Sequence, residues 1–218
     1  SFLEEWEQKE AMKIADLSSL IGLLIFISQL VNGLKTTIGV LILKRNKMQK
    51  AAVSSSPMNA RVRWAISHIL YVLRRWEGKA RIYDRSWASS TADVTIYCDI
   101  ALKEVPKTGS FGKGALVLQS ETFFSEPWEE GELKEAKRAK KHSTAHLELI
   151  NMLDSVLRFG KETQKILCKC DSRAAVRIAT ARYSATANRD IERRLHEFDV
   201  ECCRRDLSVR FQWECREG

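Results

Sequence analysis

The stretch Val94-Thr95-Ile96-Tyr97-Cys98-Asp99 is a run of strand-forming residues that ends on a single acid. Branched and aromatic side chains of this kind favour a β-strand. Two further acids occupy comparable places, because Asp171 ends a second apolar run at 165–170 and Glu148 lies on an apolar helical pattern. Carboxylates at strand ends and on a facing helix are the ligands that hard divalent cations prefer. The sequence therefore predicts a metal site formed by these three acids.

The periodicity around that stretch predicts an α/β fold with a mixed five-stranded sheet flanked by helices. Apolar residues alternate with a period of two in the strands and follow helical spacing in the helices. A charged segment, 129–141, is open to interpretation as a loop or a solvated helix. The predicted strands are 94–98, 112–119, 121–124, 164–170 and 208–213, and the helices are 144–159, which Gly160 ends, 172–181 and 188–205. Hairpins followed by helix-linked strands indicate a mixed sheet.

The residues before this region predict a small helical domain. A polar helix is expected over 1–15, a buried helix over 17–31 with Asp16 as its N-cap, and another over 36–44. A small-residue linker at 51–57 precedes a helix over 60–77, which Asn59 caps and Gly78 ends. The apolar segment 17–31 is too short for a membrane span, which needs about 20 apolar residues, and acids precede it where a signal peptide has bases. The predicted organisation is a helical domain at 1–78, a linker at 79–93 and the α/β domain at 94–218.

The composition favours an intracellular protein with a polyanionic partner. The chain of 218 residues has 36 basic and 28 acidic residues, a formal charge of +8. That excess fits nucleic acid and fits a merely basic surface equally well. The six cysteines show no paired spacing with histidine, so we expect buried thiols in the reducing cytoplasm or nucleus rather than a zinc site. A chain that starts at Ser1 and stops just after a strand is expected to be part of a longer protein.

A single acid at a strand end is more often a turn former or a helix cap, so the joint pattern carries the argument. Glu148 lies beside the apolar stripe of its helix, and a buried carboxylate there needs a partner. Divalent ions are such a partner. Two of them would activate water and stabilise the leaving oxygen in phosphodiester hydrolysis.

Four segments carry a resemblance to a known family. The first, Leu17-Ser18-Ser19-Leu20-Ile21-Gly22-Leu23-Leu24 with 27–31, resembles the thumb or connection segment that follows a polymerase core. His142-Ser143-Thr144-Ala145-His146-Leu147-Glu148-Leu149, Cys170-Asp171-Ser172-Arg173-Ala174-Ala175-Val176 and the last strand, 209–218, resemble the corresponding parts of a ribonuclease H domain. Together they resemble the C-terminal part of a reverse transcriptase, most like that of tyrosine-recombinase (DIRS-like) retroelements.

The resemblance implies an RNase H-like fold and a metal-dependent endonuclease that cleaves the RNA strand of an RNA–DNA hybrid. Asp99 would bridge two Mg²⁺ (or Mn²⁺) ions, and Glu148 and Asp171 would each bind one. The 2′-hydroxyl would distinguish RNA from DNA. The partners would be the hybrid or another nucleic acid and the rest of the polyprotein, with no membrane. The residues expected to contact nucleic acid are Lys134, Lys137, Arg138, Lys140, Lys141, Ser172 and Arg173.

Several roles stay open. The basic run at 134–141 is either a hybrid-binding surface or a solvated face, and Ser172 is expected to cap a helix rather than touch substrate. His142 and His146 are expected to pack or lie on the surface rather than to move protons. Trp128 is expected in the core or in a lid.

Two departures from the family pattern favour an alternative, a catalytically inactive RNase H-like scaffold that binds nucleic acid or a protein. Ile100-Ala101-Leu102 replaces the small residues usual after the first acid, and the fourth acid expected after the last strand would lie beyond Gly218. A Tyr-Xaa-Asp-Asp motif is absent from the sequence, so these residues cannot carry DNA synthesis.

Overall fold

The protein forms two compact units in a computed structural model. The structure describes residues 2–31, 33–76, 87–101, 112–139, 143–182 and 188–215. The first unit comprises the described residues up to 76 together with Arg182, and the second comprises 87–181 and 188–215 within those ranges. Gly78, which the sequence predicts as a helix end, lies outside the described residues.

The first unit contains four helices and a small antiparallel pair of strands among its described residues. Met12 on one strand pairs with Ser56 on the other. The elements in chain order are α1 (Phe2–Gln8), β1 (Ala11–Lys13), α2 (Ile14–Ile27), α3 (Lys35–Lys50), β2 (Ser55–Pro57) and α4 (Ala60–Arg75). Strand β2 lies in the segment predicted as a linker.

Apolar side chains at helical spacing hold the first unit together. Helix α2 buries Leu17, Leu20, Ile21 and Leu24, the i, i+3, i+4, i+7 pattern of a core-facing stripe. Asn59 caps α4 as predicted, since its Oδ1 accepts a hydrogen bond from the Val62 amide at 3.0 Å. The Asp16 prediction is wrong, because α2 begins at Ile14, after Lys13, and Asp16 lies inside its first turn. None of the described helices combines the length and apolarity that a bilayer crossing requires.

The second unit contains the predicted mixed sheet of five strands with helices packed on it. The spatial strand order is β5-β4-β3-β6-β7. Strands β3, β4 and β5 are antiparallel neighbours, whereas β3, β6 and β7 are parallel. The elements are β3 (Val94–Ala101), β4 (Gly112–Val117), β5 (Thr122–Pro127), α5 (Glu130–Arg138), α6 (Ser143–Phe159), β6 (Lys165–Cys170), α7 (Arg173–Ala181), α8 (Arg189–Arg205) and β7 (Ser208–Trp213).

Helix α6 packs against the central strands β3 and β6 of the sheet. Leu149, Met152 and Val156 share one core with Ile96 and Cys168 from the two central strands. Gly160 follows the end of α6 as predicted. A Cβ atom there would lie 2.6 Å from Ile166 Cδ1 and 2.7 Å from Val156 O, so only glycine permits this close approach of helix end and strand.

Two segments differ from their predicted character. Helix α5 (Glu130–Arg138) lies within the segment 129–141, and it is not fully solvated, because Glu132, Glu135 and Ala136 are buried. Residues 87–93, which the sequence assigns to a linker, contact the sheet instead. Trp87 Nε1 donates to Ser208 Oγ at 3.0 Å, and the Lys165 amide donates to Asp93 Oδ2 at 2.7 Å.

Candidate metal centre

Two adjacent parallel strands bring Asp99 and Asp171 close together. Asp171 follows the end of β6, but Asp99 lies inside β3, which continues to Ala101, so the prediction that Asp99 ends its strand is wrong. Cys98 on β3 pairs with Cys170 on β6, so the acid after each cysteine lies at the same level. Asn151 on α6 fixes this arrangement, because its Nδ2 donates to Asp99 O at 2.8 Å and to Gly114 O at 2.9 Å. The main chain at the first acid is therefore tied both to the helix and to strand β4.

Helix α6 contributes Glu148 from the inner face of the sheet. This residue is buried, with 5% of its surface exposed. Ligand atoms of Glu148, Cys170 and Asp171 all lie within 4.8 Å of one another. Two of the three predicted acids thus come together, and the third member of the group is a thiol.

The sequence did not predict the Cys170 thiol as a member of this group. Its Sγ donates to Glu148 Oε2 at 3.3 Å. Burial, together with the negative charge of Glu148, raises the pKa of the Cys170 thiol far above its usual value. The thiol therefore stays protonated beside the carboxylate. Strand alternation placed residues 166, 168 and 170 on the face towards α6, and that signal could have identified it.

Asp99 has a different environment from the other two acids. It is exposed, and its Oδ1 accepts a hydrogen bond from the Ile100 amide at 2.8 Å. Among the described residues, the group whose ligand atoms lie close together consists of Glu148, Cys170 and Asp171 and does not include Asp99. It lines, together with Asp171, a groove of about 840 Å³ whose other residues come from β3, β4, β5, β6 and the segment after β7. The predicted site is therefore compact at Glu148 and Asp171 and more open at Asp99.

The same groove holds a carboxylate that the prediction did not include, Glu214. It follows β7, the next parallel strand, and its amide donates to Cys170 O at 3.0 Å. Lys169 Nζ lies 3.0 Å from Glu214 Oε2 and donates to Tyr97 OH at 2.9 Å. The hydrogen bond to Tyr97 raises the pKa of Lys169, with a further contribution from Glu214. Three acids and this lysine therefore line the groove.

The main chain around Asp171 is held by its neighbours. Trp213 Nε1 donates to Asp171 O at 3.0 Å, and the Arg173 guanidinium lies over the Trp213 ring, 4.0 Å from its centroid. Ser172 caps α7, as expected, because its Oγ accepts a hydrogen bond from the Ala175 amide at 3.3 Å. Ser172 and Arg173, which were predicted to contact nucleic acid, therefore both contact other residues of the protein.

The predicted basic run has partners on the protein itself. Lys134 forms an ion pair with Glu130 at 2.6 Å and Arg138 forms one with Asp190 at 2.9 Å. Lys137 is exposed. Lys140, Lys141 and His142 lie outside the described residues. This helix therefore carries less uncompensated charge than its sequence suggests.

Two ionic clusters hold helix α5 against the rest of the second unit. Buried Lys113 donates to Glu132 Oε1 at 2.6 Å and to Asp154 Oδ2 at 2.8 Å. Burial alone would lower the pKa of Lys113, but its hydrogen bonds to these two acids raise it. Glu135 pairs with Arg193 and Arg194.

His146 and Trp128 are part of the protein interior. His146 Nε2 lies 3.4 Å from Glu135 Oε2, and burial lowers the pKa of this histidine. Trp128 packs with Leu147 and Ile150. Of the alternatives left open by the sequence, His146 is packed in the interior rather than on the surface, and Trp128 lies in the core.

The donor atoms define which ions fit. The carboxylates of Glu148 and Asp171 suit Mg²⁺ or Mn²⁺, whereas a thiol is a softer ligand.

Comparison of the chain with family models, with curated proteins and with solved structures finds no match.

Proposed function

We propose that the second unit is an RNase H-type endonuclease that cleaves the RNA strand of RNA–DNA hybrids with divalent metal, within a reverse transcriptase of the DIRS-like retroelement class. One observation carries the proposal. A buried glutamate on the helix that crosses the sheet meets an aspartate at the end of a central parallel strand, within 4.8 Å. The strand order, with three antiparallel strands continued by two parallel ones, resembles that of the ribonuclease H fold and supports the same proposal.

Each acid has its own role in this scheme. Glu148 and Asp171 would hold Mg²⁺ or Mn²⁺, and Asp99 would contribute from the exposed side of β3. The ions supply Lewis acidity at the phosphate and an activated water. Lys169 and Tyr97 line the groove and would contact the substrate backbone, while helix α6 keeps Glu148 in place.

The scaffold alternative has its own supporting observation. Asp99 is exposed and is separate from the compact group, and the Cys170 thiol donates a hydrogen bond to Glu148, the acid that would hold the metal. A descendant that has lost catalysis would retain nucleic-acid binding without turnover.

Cleavage of a hybrid with a labelled RNA strand distinguishes the two functions. The full chain is incubated with Mg²⁺ or Mn²⁺, alongside Glu148→Gln, Asp171→Asn and the exposed control Glu130→Gln. We expect cuts in the RNA strand alone, lost in the first two variants and retained in the control. Hybrid binding without cleavage in either metal would favour the scaffold. Cleavage that survives in both site variants would contradict the proposed site.

A further inference from the structure

The positive charge of the chain is concentrated in the first unit. Residues 17–76 contain nine lysines and arginines and no aspartate or glutamate. Since the whole chain carries +8, this segment accounts for the entire excess and the remainder is close to neutral. Nucleic-acid binding generally depends on such a local concentration of cations.

Helix α4 carries a row of ring and guanidinium side chains on its outer face. Trp64, His68, Tyr71 and Arg75 follow one another at spacings of four, three and four residues, which places them on one stripe of a helix. The opposite stripe is buried and includes Val62, Ile66 and Ile69. The outer row extends for about 16 Å at 1.5 Å per residue.

The side chains of this row are stacked in sequence. The ring centroids of Trp64 and His68 lie 6.1 Å apart with an interplanar angle of 16°, and those of His68 and Tyr71 lie 6.2 Å apart at 23°. The guanidinium carbon of Arg75 lies 3.6 Å from the Tyr71 ring centroid. The stack is accessible, since Trp64 is 40% exposed and Tyr71 is 53% exposed. We call these four residues the α4 stack.

Two acids of helix α1, Glu4 and Glu7, contact a neighbouring stripe of α4. Arg74 pairs with Glu4, and Ser67 Oγ donates to Glu7 Oε1. These contacts fasten α1 to α4 beside the stripe that carries the α4 stack. Arg74 is therefore not counted among the cations available to a ligand.

We infer that the α4 stack binds single-stranded nucleic acid, with bases stacking on Trp64 and Tyr71 and with Arg75 beside the phosphates. Every base has a π-face, so aromatic side chains beside cations bind single strands with little sequence preference. The row has three rings followed by one guanidinium, and the surrounding segment is basic, so a partner with both flat rings and negative charge fits it better than a purely apolar or a purely electrostatic one. The inference concerns the first unit and does not depend on catalysis by the second.

Fluorescence anisotropy of the full chain with labelled oligothymidine and oligouridine of about 16 nucleotides tests this inference at low salt. Alanine at Trp64 or Tyr71 is expected to weaken binding roughly 5-fold to 150-fold, the range for loss of one stacked base. Phe26→Ala is the matched control, because Phe26 is an exposed aromatic (62%) of the same unit on α2. The control is expected to bind as the wild type does, and the two oligomers distinguish a preference for DNA or RNA.

The conservative variant Trp64→Phe separates contact from folding. It retains a stacking ring and is expected to bind with nearly unchanged affinity, but the nucleotide-induced quenching of tryptophan fluorescence should fall. Absence of binding at low salt would overturn the inference. Equal affinity of both alanine variants and the wild type would overturn it too. A duplex that binds as tightly as the single strand, with no effect of either alanine, would show purely electrostatic binding and would equally refute the stack.

Discussion

Replacing Glu148 by glutamine tests the electrostatics of the candidate metal centre most directly. Glu148 and Asp171 have ligand atoms within 4.8 Å of each other. Two unit charges at that distance repel by about 3 kcal/mol at an effective dielectric constant of about 20. Glutamine removes this repulsion and keeps an oxygen that can accept the Cys170 thiol hydrogen. We expect the metal-free variant to be more stable than the wild type by about 1–2 kcal/mol, since local solvent and neighbouring dipoles reduce the full repulsion.

The divalent ion should reverse that order of stability. An ion present at 100 times its dissociation constant stabilises the folded wild type by about 2.7 kcal/mol, whereas the variant has lost a ligand and should gain almost nothing. The measurement is urea denaturation monitored by hydrogen exchange of peptides from α6 and β6, with EDTA or Mn²⁺. Those peptides report on the second unit separately from the first.

Glu130→Gln is the control for this experiment, because Glu130 is an exposed acid that pairs only with a surface lysine in the contacts described above. It should respond to Mn²⁺ as the wild type does. The reasoning would be refuted by a metal-free Glu148→Gln protein less stable than the wild type, or by equal stabilisation of both proteins by Mn²⁺.

Three further perturbations have defined outcomes. Lys113→Met should lower the free energy of unfolding by about 3–5 kcal/mol, because it leaves a buried carboxylate without its cation; urea denaturation measures the loss. Glu135→Gln should destabilise the protein at neutral pH, with a difference from the wild type that disappears as the pH falls. Burial would raise the pKa of Glu135, but the hydrogen bond from Arg194 brings it below its usual value. Its contribution is therefore complete above the unfolded pKa and is lost as the pH falls through the folded one. Cys170→Ser should weaken Cd²⁺ binding, measured by calorimetry, more than Mn²⁺ binding, because it replaces a soft ligand with a hard one.

Each of these predictions has a clear contrary result. Loss of stability in Lys134→Met as large as in Lys113→Met would mean that burial of the ion pair is not the cause. A Glu135→Gln difference that grows towards acid pH would show that the native carboxyl has a raised pKa. Equal effects of Cys170→Ser on Cd²⁺ and Mn²⁺ would place the sulfur outside the metal group.

Local patterns in the sequence predicted most of the α/β unit. Alternation gave the strands, helical spacing gave α6, and Gly160 marked a helix end because the close approach of Ile166 leaves no room for a side chain. Asn59 was identifiable because an N-cap uses its own side chain for an adjacent amide. These features depend on residues within one turn or one strand, or, at Gly160, on a position that admits only one type of residue.

The features that were missed depend on contacts between distant residues. The charged segment at 129–141 packs against the protein because Glu132 meets Lys113 from another element, and no local pattern encodes that partner. The short strand β2 forms only by pairing with β1. The contact between Ser55 and Met12 joins residues 43 positions apart in the sequence. Cys170 and Glu214 join the candidate site only because three parallel strands end side by side.

The parallel pairing of β3 with β6 has a consequence for the order of folding. Cys98 and Cys168 make contact across 70 residues of sequence, whereas β4 and β5 are joined by a short turn. Closing a long loop costs more chain entropy than closing a hairpin, and non-local pairings slow folding. We expect the hairpin to form early and the β3–β6 pairing late. Asp99 and Asp171 therefore become neighbours near the end of folding, and a nascent chain acquires the candidate metal centre only after residue 171 has been synthesised.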